Sequence, residues 1–347
     1  VALRFRFAPV LDAAGATYAY QVERARFDKI LLDNSRRKGV DVREGHSVVE
    51  LLKEGERFSG VRFKDESGNV STARARYVAD ASGNQSQTCH QVGERLYSKF
   101  FQNVALYCYF DGGKRLPPPN QGNILCAAFS EGWFWYIPLD DSLTSVGAVV
   151  SKEHAGQLKL GPEQAMAGLI DKCPIIKEFI GDAKRITTGE YGSFRIRKDY
   201  SYLNSRFWAP GCVLIGDAAC FIDPVFSSGV HLSTYSALLA ARSINTYLDS
   251  NNRYTEEELF SEFERRYRAE YSMFYKFYLV FYDMNHDESS YYWAARKITA
   301  QKTPDDFAFV RLVSGARALR ANSSRPWSAA ANRQSRPWSG RTMRRAS

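Results

Sequence analysis

The chain has 347 residues, 44% of them hydrophobic and 24% charged, a balance that fits a globular protein with a sizeable core and about two domains. It excludes collagen-like, disordered and disulfide-scaffold classes. The formal net charge of +9 is unevenly placed. Residues 315–347 carry eight arginines, from Arg317 to Arg345, with no lysine or acid, which leaves +1 for residues 1–314. A nucleic-acid partner is therefore not expected of the folded part.

Nothing before Gly39 has the charged and apolar regions of a secretory signal, so a cytoplasmic location is expected. The longest strongly apolar stretch, residues 274–282, is too short to span a bilayer and contains Lys276, so no membrane association is expected. Cys89, Cys108, Cys126, Cys173, Cys212 and Cys220 show no C-x-x-C pairing with each other or with histidines. They read as reduced, mostly buried thiols, and no metal site is expected.

In chain order, Val22, Phe27, Ile30 and Leu31 recur at helical spacing, which predicts a helix from residue 21 that Gly39 ends, followed by a strand at 40–42. Residues 58–63 and 70–78 are predicted β segments joined by an Asp65-Glu66-Ser67-Gly68-Asn69 turn. Residues 78–83 read as a strand running into a glycine turn. The pattern changes from Phe101 to Val150: segments at 104–110, 122–129, 134–138 and 145–150, separated by Gly, Pro and Asp turns, predict a largely antiparallel layer. A helix is predicted over 162–179, then a short apolar strand at 212–215 and a helix over 228–248, which returns the chain to an α/β pattern. Thr255-Glu256-Glu257-Glu258 is a capping box. Phe260, Phe263, Tyr267, Tyr271, Phe274 and Tyr278 follow at spacings of three and four, a stripe that reads as core packing. Beyond Ser314, Ser-Arg-Pro-Trp-Ser occurs twice, at 324 and 335, in a setting too poor in aliphatic residues to bury a core. Disorder is expected there, as a nucleic-acid-binding arm or a non-native extension.

The most informative segment is residues 213–231. An apolar strand ending in Gly216-Asp217 places a carboxylate at the carboxyl edge of a sheet, where it can accept hydrogen bonds from sugar hydroxyls of a cofactor. The following loop, with Asp223, Pro224 and Phe226, enters a helix whose free N–H groups near Ser228, Gly229 and Val230 can hold an anion or an electron-rich ring edge. Gly-Asp after a strand is by itself an ordinary turn; the long extension is what makes the segment specific. Asp223 reads as a loop-capping residue and His231 as a helix residue behind the loop rather than a catalytic base.

Residues 213–232 resemble the second flavin motif of the two-dinucleotide-binding-domain flavoproteins, a group that includes aromatic hydroxylases and geranylgeranyl reductases, and they are most similar to the FAD-dependent halogenases. Three other segments carry the same resemblance. Residues 21–28 resemble the helix that sets an arginine, here Arg24, on the FAD. Asp80-Ala81-Ser82-Gly83 matches the turn on the adenosine side. Gly132-Trp133-Phe134-Trp135-Tyr136-Ile137-Pro138 contains W-x-W-x-I-P, which separates the halogenases from their monooxygenase relatives. A lone W-x-W would be ordinary strand packing. The resemblance covers about residues 15–300 and implies an α/β fold. An FAD-binding Rossmann-like domain of the aromatic hydroxylase and glutathione reductase type would occupy 1–95 and return at 196–250. An antiparallel β-sheet substrate domain would fill 96–195, with C-terminal helices over 251–314.

The resemblance implies that Arg24, Asp80, Gly83, Gly216, Asp217, Pro224, Gly229 and Val230 contact FAD, with Pro224 beside the isoalloxazine, and that the Ser228 and Gly229 amides hold chloride or bromide. Trp133, Trp135, Ile137 and Pro138 would form the catalytic strand, the tryptophans keeping substrate away from the activated flavin. In the implied reaction, reduced FAD delivered by a separate flavin reductase meets O2 to form a C4a-hydroperoxide. Halide attacks it to give hypohalous acid, which halogenates an electron-rich ring in natural-product biosynthesis. The alternatives are a monooxygenase or reductase of the same fold, or a non-catalytic fragment.

Two departures from the family pattern matter. Tryptophan-type members carry a glutamate where this sequence has Phe226, so the resemblance implies a phenolic substrate, or a pyrrolyl or tyrosyl group on a carrier protein, rather than free tryptophan. The sequence also contains no G-x-G-x-x-G, and the family lysine that relays the oxidant has no counterpart. With Val1 at the start, the expectation is a chain lacking the first half-domain of a protein of over about 400 residues, one that alone binds FAD weakly and does not halogenate.

Overall fold

The computed structural model describes residues 20–198 and 200–282, so the arginine-rich tail lies outside the described residues. The chain divides into two units, Tyr18–Leu279 and a second made of Val1–Thr17 with Val280–Ser347; the contacts below belong to the first.

Helix α1 (Arg24–Arg37) has Arg36 and Arg37 in its last turn, where cations complement the dipole, and Arg24–Asp28 and Lys29–Asp33 pairs at i,i+4. None of its residues is buried. The strand expected at 40–42 is not formed: Val40 is 55% exposed and no described strand pairs with it. Next come β1 (Ser47–Glu54), β2 (Arg57–Lys64) and β3 (Val70–Arg74), an antiparallel sheet in that order. The β2–β3 turn closes as predicted, with the Asn69 amide donating to Asp65 Oδ1 at 2.8 Å. The segment expected over 70–78 is two strands, because β4 (Val78–Asp80) leaves that sheet and joins another.

After the short β5 (Arg95–Tyr97), the antiparallel layer forms from β6 (Asn103–Asp111), β7 (Leu125–Phe129), β8 (Gly132–Pro138) and β9 (Leu143–Ser151). Helix α2 (Pro162–Asp171) and helix α3 (Pro174–Ile180) replace the single helix predicted over 162–179. Pro174 has no N–H and cannot continue α2, but is suited to open α3. Strands β10 (Lys184–Arg185) and β11 (Arg195–Lys198) both pair with β6, giving the order β10-β6-β9-β8-β7 with β11 on the β6 edge. One face of this sheet, with Leu106, Phe134, Tyr136 and Ala148, packs on Met166, Leu169 and Ile176 of the two helices. The opposite face carries the tryptophans.

Strand β12 (Tyr202–Asn204) pairs with β5 and later with β15 (Cys220–Phe221). Strand β13 (Trp208–Ala209) pairs with β14 (Cys212–Leu214), and β14 runs parallel to β4, with Val213 opposite Ala79 and Leu214 opposite Asp80. Residues far apart in sequence thus form one α/β layer. Helix α4 (Ser228–Asp249) follows, then α5 (Glu256–Tyr282), whose predicted capping box closes with Glu258 N–H on Thr255 Oγ1 at 3.2 Å and Thr255 N–H on Glu258 Oε2 at 2.8 Å. All six aromatics of its stripe are buried; Phe260 stacks on Tyr77 with centroids 5.4 Å apart. No helix of the described residues is long and apolar enough to cross a membrane.

Candidate active site

The parallel pairing of β4 and β14 brings two turns together at one sheet edge, since both strands end there. In the first, Asp80 is buried and its carboxylate accepts from the Ser82 amide at 2.9 Å, Ser82 Oγ at 2.5 Å, Ser86 Oγ at 2.7 Å and Thr88 Oγ1 at 2.7 Å. Burial alone would raise its pKa, but the donors from Ser82, Thr88 and Ser86 outweigh it and hold the group below the usual carboxylate range. Asp80 is thus saturated by its own loop, in which Gly83 takes the left-handed region, φ +76°.

In the second turn Asp217 has the opposite environment. It is half-buried, and among the described residues its carboxylate receives no hydrogen bond; burial pushes its pKa up to about 6, against a smaller opposing effect of Arg24. Its backbone is held tightly. The Tyr202 hydroxyl donates to the Asp217 carbonyl at 2.5 Å, Tyr267 Oη donates to the Gly216 carbonyl at 3.2 Å, and the Gly216 amide donates to Ser236 Oγ at 2.9 Å. Gly216 has φ +57°, and a Cβ there would stand 2.8 Å from Ser233 Oγ, so conformation and space both require glycine. The turn presents an acceptor that lacks donors.

The loop from Phe221 to Ser227 is anchored by Asp223, fully buried, whose Oδ1 accepts from the Val225 amide at 3.0 Å and whose Oδ2 accepts from Asn103 Nδ2 at 3.3 Å and the Tyr200 hydroxyl at 3.4 Å. Asn103 opens β6, so this carboxylate ties the loop to the antiparallel sheet. Phe226 packs on Phe277 and Tyr278, with centroids 5.1 and 5.3 Å apart. Ser227 enters α4 at φ +53°, and its amide donates to the Pro224 carbonyl. The buried Ser228 accepts at Oγ from the Tyr278 hydroxyl at 2.7 Å, and a Cβ at Gly229 would meet the Phe221 ring at 3.1 Å. His231 Nε2 lies 2.7 Å from Glu270 Oε1, a buried carboxylate of α5.

Strand alternation divides the W-x-W-x-I-P residues. Trp133, Trp135 and Ile137 share one face, with the two indoles 6.0 Å apart, while Pro138 lies with Phe134 and Tyr136 on the opposite face and ends the strand. Pro138, grouped with the tryptophans in the expected catalytic set, thus stands on the other face of the strand at its end. Trp135 Nε1 donates to Ser145 Oγ at 3.2 Å, and the ring lies 5.5 Å from that of Tyr107. Trp133 pairs with Val149, which pairs with Ala105, two residues from Asn103. The tryptophan row thus begins near the Asp223 anchor. At its other end Tyr191, whose ring is tilted against that of Tyr109 with centroids 4.6 Å apart, donates its hydroxyl to Glu23, next to Arg24. Arg24 itself makes a two-point contact with Asp28, at 3.0 and 2.9 Å.

The tryptophan halogenase family model matches residues 2–333. The chain belongs to the tryptophan halogenase family. The solved myxobacterial chondrochloren halogenase CndH, a variant of the FAD-dependent halogenases, matches with a TM-score of 0.76 at 60% identity, over 89% of this chain and 70% of that one. The tryptophan 2-halogenase of Chondromyces crocatus is 30% identical over 289 residues, 82% of this chain and 54% of that protein. A 1H-pyrrole-2-carbonyl peptidyl-carrier-protein chlorinase of Pseudomonas fluorescens is 28% identical over 295 residues, 81% of this chain and 64% of that protein. The chain spans between about half and two thirds of the length of these curated relatives. Its fold is the FAD-binding Rossmann-like fold of the halogenases, with the antiparallel layer and helices described above.

Sequence reasoning picked out the loop and the tryptophan strand but missed the groups that hold them. Tyr267, Glu270 and Tyr278 carry no local signal, because an aromatic or acid at helical spacing looks the same whether or not its polar end meets a distant turn. Asn103, Tyr200 and Tyr202, on or beside strands, likewise give no sign in their neighbours of a partner distant in sequence.

Proposed function

We propose that the protein is a cytoplasmic FAD-dependent halogenase of natural-product assembly, acting on an electron-rich phenolic or pyrrolic ring, free or tethered to a carrier protein. It uses chloride or bromide, O2 and reduced FAD from a separate flavin reductase. The observation that carries this reading is the pair Trp133 and Trp135 side by side on the sheet face that the Asp223 anchor joins to the flavin-motif loop. The six free cysteines suit a reducing compartment.

The residues present fit FAD. The Asp217 carboxylate, half-buried and without donors among the described residues, suits the hydroxyls of a flavin side chain. The turn at Gly83 would contribute backbone rather than Asp80, whose acceptors are already used. Arg24 would leave Asp28 or share it, Pro224 would pack by the ring system, and the amides of Gly229 and Val230 would face its electron-rich edge. Bound FAD supplies the oxygen-activating chemistry. Ser228 and Gly229 would hold the halide at a helix N-terminus, while the two indoles keep the organic substrate apart, so that halide reacts first. Phe226, packed among Phe277 and Tyr278, offers no carboxylate for a free amino acid.

The test is a product assay on the full-length protein with a flavin reductase, FAD, and chloride or bromide, offering a phenol, a pyrrolyl thioester on a carrier protein, and tryptophan. Replacement of ring hydrogen by halogen on either of the first two is expected. Addition of oxygen alone would establish a monooxygenase instead, and halogenation confined to tryptophan would overturn the substrate assignment.

A further inference from the structure

Three polar groups of α5 reach the loop between Gly216 and His231, and they reach different parts of it. Tyr267 Oη donates to the Gly216 carbonyl, Glu270 pairs with His231, and Tyr278 Oη donates to Ser228 Oγ. Tyr267 and Tyr278 are both fully buried. Eleven residues on one helix separate them by roughly 16 Å, so each hydroxyl acts on a single place. A packing role for the stripe needs only rings; phenylalanine would serve. The hydroxyls are placed on a backbone carbonyl and a serine, both of which need a partner once buried.

We propose that α5 is the positioning element of the cofactor loop, with Tyr267 setting the turn that aims Asp217 and Tyr278 setting the first turn of α4. The inference rests on the reading of that loop as a flavin and halide site, and it divides the labour between the two tyrosines. The Gly216 carbonyl is one peptide from the Asp217 side chain, so loss of the Tyr267 hydroxyl frees the turn that presents the carboxylate. Tyr278 holds Ser228 from behind, and Phe226 lies against its ring. Loss of its hydroxyl loosens the Ser228–Gly229 start of α4 while leaving Asp217 in place. Neither tyrosine touches the reacting atoms; each acts through the residue it holds.

The experiment uses the full-length enzyme with Tyr267→Phe and Tyr278→Phe, which keep the rings. FAD Kd is measured by fluorescence quenching, and halide KM and kcat with saturating flavin. Tyr267→Phe is expected to weaken FAD about tenfold with halide KM within about twofold; Tyr278→Phe is expected to raise halide KM about tenfold with FAD Kd within about twofold, each the size of one lost oriented hydrogen bond. If either variant is insoluble, Ser236→Ala and Ser228→Ala probe the same two places from the other side, with the same split expected. Variants that leave both constants unchanged, or move both in parallel with melting temperature, overturn the assignment. A wild-type enzyme that binds no FAD and needs no halide removes the underlying function, and this inference with it.

Discussion

The indole of Trp135 lies across Gly147 of the neighbouring strand, so closely that a Cβ at residue 147 would stand 2.1 Å from Cζ2 and 2.4 Å from Cε2. The glycine is what lets the ring lie flat on the sheet, held by Ser145 at its nitrogen and by Tyr107 at its side. Gly147→Ala is expected to lift the ring and cost about 1–3 kcal/mol, read as a lower melting temperature and a shift in tryptophan emission. An alanine variant that melts and emits like the wild type would show the ring to be free to move.

Asp217 is expected to destabilise the flavin-free protein. Its folded pKa, raised by burial to about 6, lies above the ordinary value, so the folded state holds the proton more tightly and stability falls as pH rises toward 6. Asp217→Asn removes that loss. The flavin-free variant should gain about 1–3 kcal/mol over wild type above pH 6, with the gain vanishing below about pH 4, while FAD affinity drops. Denaturant titrations at pH 4 and 7.5 check the sign; a variant equally stable or weaker at 7.5 contradicts it.

Asp80 should behave in the opposite sense. Its pKa is depressed by the donors of its own loop, so its contribution is present above the ordinary carboxylate value and is lost as pH falls through the depressed one. Asp80→Ala leaves Ser86 and Thr88 hydroxyls without their acceptor and is expected to cost about 2–4 kcal/mol at neutral pH. In Asp80→Asn the acid limb of the unfolding curve should flatten. Hydrogen exchange of the Ser82 and Cys89 amides gives a local readout.

His231 is expected to matter for stability and loop order rather than proton transfer. It pairs with Glu270, which is 7% exposed, so His231→Ala leaves a carboxylate buried without that partner. A loss of about 2–4 kcal/mol is expected. Glu270→Gln, which keeps a hydrogen-bonding group, should lose less. A full-length His231→Gln variant whose turnover collapses while its melting temperature holds would instead make the histidine part of the chemistry.

Much of the architecture was legible because it follows local periodicity and turn chemistry. The Asp65–Asn69 hairpin, strands β6 to β9 of the antiparallel layer, the helix starting at Ser228 and the capping box at Thr255 are written in short stretches of residues, and these formed as expected. The 40–42 strand was not, since a strand is completed by a partner and Val40 has none among the described strands. The break at Pro174 follows from its missing N–H, yet the hydrophobic spacing on either side masked it.

For the candidate site, the sequence by itself determined which residue types were present: a carboxylate after a strand, a helix start after a long loop, two indoles on alternate positions. The tertiary structure decided their states. Asp80 and Asp217 look alike in the sequence, but one is surrounded by hydroxyls and the other is half-buried without donors. Alternation on β8 put Pro138 across the sheet from Trp133 and Trp135. The hydroxyls that hold the loop come from a helix about fifty residues further on, as when Tyr267 meets Gly216. Desolvation and hydrogen-bond supply depend on what the fold packs around a group, and chain neighbours alone do not carry that information.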